Sequence, residues 1–136
     1  MDLTLDMEQK PFEIFSPAEH ESQPPGRVLQ VLNDADPLAL SLEGVDRVEL
    51  HFPKFTDGRA FSQAWLIRRR LRYAGDIRAT GDVLPDQLVQ MQRSGFSSAV
   101  LRADKDAAEA RRVFKRFDAY YQGDASEPHP HFARAE

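Results

Sequence analysis

The sequence contains no cysteine. That absence removes disulfides, thiolate-bound zinc, cysteine-ligated iron–sulfur clusters and any thiol redox cycle from the chemistry the chain can carry by itself. Electron transfer would need a bound cofactor, and no motif announces one: the glycine-rich dinucleotide fingerprint, the P-loop, the serine elbow and His-Glu-x-x-His are all missing. No cofactor and no metal site are expected. Long apolar runs are lacking too, and the first residues are acidic instead of basic and then apolar. Neither a membrane span nor a signal peptide is therefore expected, and the cytoplasm is the default location. A basic excess is also absent. The net charge of −4 argues against a nucleic-acid binder held by bulk electrostatics.

What is present fits one globular domain: 136 residues, 41% hydrophobic and 29% charged. Residues 1–26 are expected to form an N-terminal tail and linker, because the run Glu19-His20-Glu21-Ser22-Gln23-Pro24-Pro25-Gly26 is polar and proline-rich; Leu3 and Leu5 hint weakly at an edge strand. Residues 122–136 are expected to form a C-terminal tail, leaving a single α/β domain over 27–121. Within it, apolar runs at Val28 to Leu32, Val48 to Phe52, Ile77 to Thr80 and Phe96 to Leu101 predict strands. Helices are predicted between and after them: a short one from Asp36-Pro37 towards Gly44, a long one over 60–74 with Ala60, Ala64, Ile67, Leu71 and Ala74 inward, one over 85–94, and one after Asp104 with Ala107, Ala110, Phe114, Phe117 and Tyr121 inward. Four βα units imply a mainly parallel sheet, either open or curved like a half-barrel, with the loops after the strands gathered at one end.

Two of those loops hold most of the functional groups. Pro53 to Arg59 offers Lys54, Asp57 and Arg59, and Thr80 to Gln87 offers Asp82, Asp86 and Gln87. One reading is an anion site built from Arg59, Arg78, Lys54 and Gln87, with Asp57 or Asp82 as an acid/base. The other is structural: Gly58 allows a turn, Asp57 accepts backbone N–H groups, and Arg59 pairs with a carboxylate. Arg78 sits inside a predicted strand of a parallel sheet, where a charge needs a partner, so it is either an anion ligand or half of a bracing ion pair. On the long helix, Trp65, Arg68, Arg69 and Arg72 fall at helical spacing opposite the core, as a docking stripe for an acidic protein or as a solvated face. His51 is read as a core histidine before it is read as a base. His129 and His131 suggest adventitious metal binding at most, and His20 suggests nothing.

The runs Phe55-Thr56-Asp57-Gly58-Arg59 and Gly75-Asp76-Ile77-Arg78-Ala79-Thr80-Gly81-Asp82-Val83-Leu84, with Leu66 to Arg68, Asp86-Gln87 and Gly95-Phe96, resemble a family of small bacterial proteins of unknown function commonly labelled oxidoreductases involved in sulfite reduction. The resemblance covers roughly 28–101. It implies an association with assimilatory sulfate reduction, since genes of such proteins tend to neighbour those of sulfite or nitrite reductase, and it carries over no catalytic residue. Three functions are consistent with these features. The first is a non-catalytic accessory protein that binds sulfite reductase or its electron donor through the Trp65 to Arg72 stripe and senses an anion. The second is a small enzyme acting on a sulfur-containing or phosphorylated anion. The third is a homodimeric structural protein joined through a sheet edge or helix face.

Overall fold

The computed structural model describes residues 11–24 and 26–125, with the side chains of the last helix described to residue 117. Leu3, Leu5, His129 and His131, and the expectations for them, lie outside the described residues, and Tyr121 lies outside the described side chains. The elements are β1 (Glu13–Phe15), α1 (Pro17–Glu21), β2 (Val28–Val31), β3 (Arg47–Phe52), α2 (Arg59–Arg69), β4 (Asp76–Gly81), α3 (Leu88–Ser94), β5 (Ser98–Val100) and α4 (Ala107–Ala125), with single 3-10 turns at Pro37–Ala39 and Pro85–Gln87. The expected α/β architecture is present as an open sheet of five parallel strands in the order β1-β5-β4-β3-β2. From β2 to β5 each crossover steps one strand in the same direction. Right-handed connections therefore place α2 and α3 on one face.

That face is the core. Val48, Leu50 and Phe52 of β3, Ile77 and Ala79 of β4, Ala99 of β5 and Ile14 of β1 are all buried there, packed with Ala60, Ala64 and Ile67 of α2, Leu88 and Met91 of α3, and Ala107, Ala110 and Phe114 of α4. Period-two alternation sends the intervening residues to the other face. These are Arg47, Glu49 and His51 of β3, Asp76, Arg78 and Thr80 of β4, and Ser98 of β5.

Several expectations are corrected. The segment read as a loose tail and linker contributes a fifth strand and a helix. β1 pairs in register with β5, and α1 opens with a reciprocal capping box in which Glu19 N donates to Ser16 Oγ (3.1 Å) and Ser16 N to Glu19 Oε1 (2.8 Å). The helix expected from Asp36 towards Gly44 is only a 3-10 turn, capped as predicted by Asp36, whose Oδ1 accepts from Leu38 N (3.0 Å). Helix α2 stops at Arg69 instead of reaching Ala74. Helix α4 runs through Ala125, past the boundary drawn at 121.

Candidate functional site

The strand ends do bring the two charged loops together. Asp82, just after β4, accepts from Phe55 N (2.8 Å) with Oδ2 and from Arg102 Nη1 (3.0 Å) with Oδ1, so one carboxylate joins the loops after β3, β4 and β5. Gln87 strengthens the same junction by donating to Phe55 O (2.7 Å) and accepting from Leu84 N (3.1 Å). Asp57 is held by its own loop and by the loop after β2: Oδ1 accepts from Arg59 N and Nε (both 3.1 Å), and Oδ2 from Arg59 Nη2 (2.7 Å) and Asn33 Nδ2 (2.6 Å). Lys54 is exposed on this loop.

These contacts set the electrostatics. The Arg59 side chain, with help from its backbone N–H, holds the Asp57 carboxyl down at about 2. The Phe55 amide, followed by Arg102, holds Asp82 below the usual carboxylate range. Carboxylates this acidic are weak general bases and carry no proton to donate at neutral pH. The loop cluster has the chemistry of a brace.

Arg78 is not part of that cluster. Its side chain, 3% exposed, lies on the opposite face of the sheet beneath α1. Its Nε donates to Ser98 Oγ (2.8 Å), Nη2 to Asp76 Oδ2 (3.1 Å), and Nη1 to Gln23 Oε1 (2.6 Å) and His20 Nδ1 (2.8 Å), with the Phe15 ring 4.3 Å from the guanidinium carbon. Burial pushes the Arg78 pKa down, and Asp76 opposes that shift. Arg59 and Arg78 thus serve separate internal networks instead of converging on one ligand. His20, from which nothing was expected, is a partner of Arg78. The Ser16-Pro17-Ala18-Glu19 capping box was the available signal that its segment is structured.

Of the four residues expected to form a stripe on the long helix, two lie together on its surface. Trp65 is 46% exposed and Arg69 stacks over its ring at 4.8 Å. Arg68 does not belong to it: the side chain is buried and donates to the backbone carbonyls of Gly95 (2.8 Å), Tyr73 (2.9 Å) and Gly75 (2.5 Å). Burial pushes Arg68 down to about 10, which leaves it charged at neutral pH. Arg72 lies beyond the helix end, exposed, with its backbone in the left-handed region (φ 57°). It lines a shallow hollow of about 370 Å³ with Leu40, Leu42, Glu43, Leu71, Tyr73 and Ala74.

His51 is also corrected: it is exposed on the polar face, 3.5 Å from Thr80 Oγ1, and not in the core. Among the described residues no three His, Asp or Glu side chains converge as metal ligands, and no helix is long and apolar enough to cross a membrane.

No curated protein and no solved structure matches the chain. Residues 26–132, most of its length, match the family model described as bacterial protein of unknown function (DUF934), and the chain belongs to that family.

Proposed function

We propose that the protein is a non-catalytic accessory protein of assimilatory sulfate and sulfite reduction that docks on sulfite reductase or its electron donor. The observation that carries the docking is Trp65, nearly half exposed with Arg69 stacked on it and therefore presented as a rigid, cationic aromatic surface. Tryptophan and arginine are the side chains most often found to dominate binding energy at interfaces. Arg70 and Arg72 extend the positive charge along the same end of α2, which suits an acidic partner face. The sulfite context rests on the motif resemblance. The non-catalytic reading rests on the strand-end groups: Asp57 and Arg59 are bonded to each other, Asp82 and Gln87 are bonded to Phe55 of the neighbouring loop, and both carboxyls are held low.

The test is co-purification of the tagged chain with purified reductase and with its electron donor. Trp65→Ala combined with Arg69→Glu is expected to weaken retention by about 30-fold or more, corresponding to the roughly 2 kcal/mol of a hot-spot residue, with unchanged circular dichroism. Retention equal to wild type removes the docking surface.

A further inference from the structure

On the polar face one row crosses the whole sheet. Register makes Gln30, Glu49, Arg78, Ser98 and Glu13 successive neighbours. Glu49 and Arg78 are buried, oppositely charged cross-strand partners, the placement in which a direct ion pair forms most readily. Instead Glu49 pairs with Arg47 Nε (2.9 Å), Arg78 pairs with Asp76 (3.1 Å), and His20 of α1 stands between Glu49 and Arg78. Arg78 Nη1 lies 2.8 Å from His20 Nδ1, and His20 Nε2 lies 3.5 Å from Glu49 Oε2. A guanidinium only donates, so Nδ1 must be the acceptor and the ring proton must sit on Nε2, facing the Glu49 carboxylate. The docked imidazole is a neutral ring in a single tautomer.

We propose that His20 makes the N-terminal segment a pH-released latch: a proton on Nδ1 frees α1 and Gln23 from the sheet, and Arg78 and Glu49 close into the direct pair their register permits. A protonated Nδ1 turns an N–H towards the N–H of Arg78, donor against donor and cation against cation. The charged groups facing His20 are Arg78 from β4, Glu49 and Arg47 from β3, and Glu21 from its own helix. Burial, opposed chiefly by Glu49 and aided by Arg78 and Arg47, holds His20 below its ordinary value. The docked pKa is thus lower than the free one. Docking is fully stable above the free value of about 6.5 and weakens as pH falls through the docked value. Release is confined to α1 and Gln23, because β1 keeps its backbone bonds to β5 and Arg111 Nε donates to Ile14 O (2.9 Å); it also parts the exposed ion pair between Arg111 Nη2 and Glu19 of α1.

Digestion of the full chain with a glutamate-specific protease reads the opening. Cleavage after Glu19 or Glu21 follows the population of the open form when reclosing is fast. The rate, relative to a free peptide of residues 12–24, is expected to rise by up to about tenfold between about pH 7.5 and about pH 5.5, the limit one unit below the free value. His20→Asn, whose Oδ1 keeps an acceptor for Arg78 without titrating, is expected to stay flat. Glu49→Gln removes a carboxylate that favours the docked imidazolium, so its rise begins at the same pH and continues further towards low pH. Equal relative rates in wild type at the two pH values, or the same rise in His20→Asn, overturn the proposal. A parallel loss of amide protection across residues 48–52 also overturns it, since the whole sheet would then be opening.

Discussion

Arg68 shows how a single residue can be misplaced by its chemistry. A charged side chain on a helix that already carries arginines at neighbouring turns reads as solvent-facing. Yet its guanidinium fork reaches three carbonyls on two different segments, the chain leaving α2 and the exit of α3. No apolar residue can satisfy those oxygens. Arg68→Ala is expected to lower the unfolding free energy by about 3 kcal/mol, since buried carbonyls lose a charged donor. Arg68→Lys should recover less than half of that, because one ammonium cannot span three diverging acceptors. Urea denaturation with an unchanged slope is the measurement, and a Lys variant as stable as wild type would contradict this role.

The end of α2 belongs to the scale of elements. Leu71 and Ala74 continue the helical period of Ala60, Ala64 and Ile67, so the sequence pattern extends the helix by a turn that the chain does not make. Instead Leu71 N donates to Leu66 O and Tyr73 N to Ile67 O (both 3.2 Å), Arg72 takes the left-handed conformation, and the Tyr73 hydroxyl donates to Val45 O (2.8 Å). Arg68, from within the helix, and the Tyr73–Val45 contact, from the loop before β3, hold this turn. Two substitutions of opposite sign test it. Arg72→Gly relieves a left-handed non-glycine residue and should raise stability by about 0.5–1 kcal/mol. Gly95→Ala should cost about 2 kcal/mol or more, because φ there is 120° and a Cβ would stand 2.7 Å from Arg68 Cγ. Thermal melts of both variants check the pair, and equal shifts in the same direction would contradict it.

For the whole molecule the decisive element is the N-terminal segment. β1 closes the β5 edge of the sheet, Ile14 is buried, Phe12 packs on Phe114 with ring centroids 5.1 Å apart, and His20 and Gln23 supply both acceptors of Arg78 Nη1. Deleting residues 1–23 uncovers an apolar patch, an unpaired strand edge and a buried charge together. The truncated chain is expected to lose about 3 kcal/mol or more and to self-associate. Denaturation and light scattering against the full chain give the comparison, and a truncated monomer of wild-type stability would sink the expectation.

Hydropathy period and capping chemistry made the α/β class, the parallel sheet, the four strands β2 to β5 and the meeting of the loops after β3 and β4 legible in the sequence, because those signals are local. The same residues could not say which charges would be spent internally. Arg59 found Asp57 two residues away, but Asp82 found Phe55 and Arg102, Arg68 found three carbonyls, and Arg78 found a helix from a segment that reads as a linker. Partner choice for a long cationic side chain is set by burial and by what tertiary packing brings within about 3 Å, the reach of a hydrogen bond. Packing therefore decided that Trp65 and Arg69 remain on the surface while Arg68 and Arg78 became internal braces.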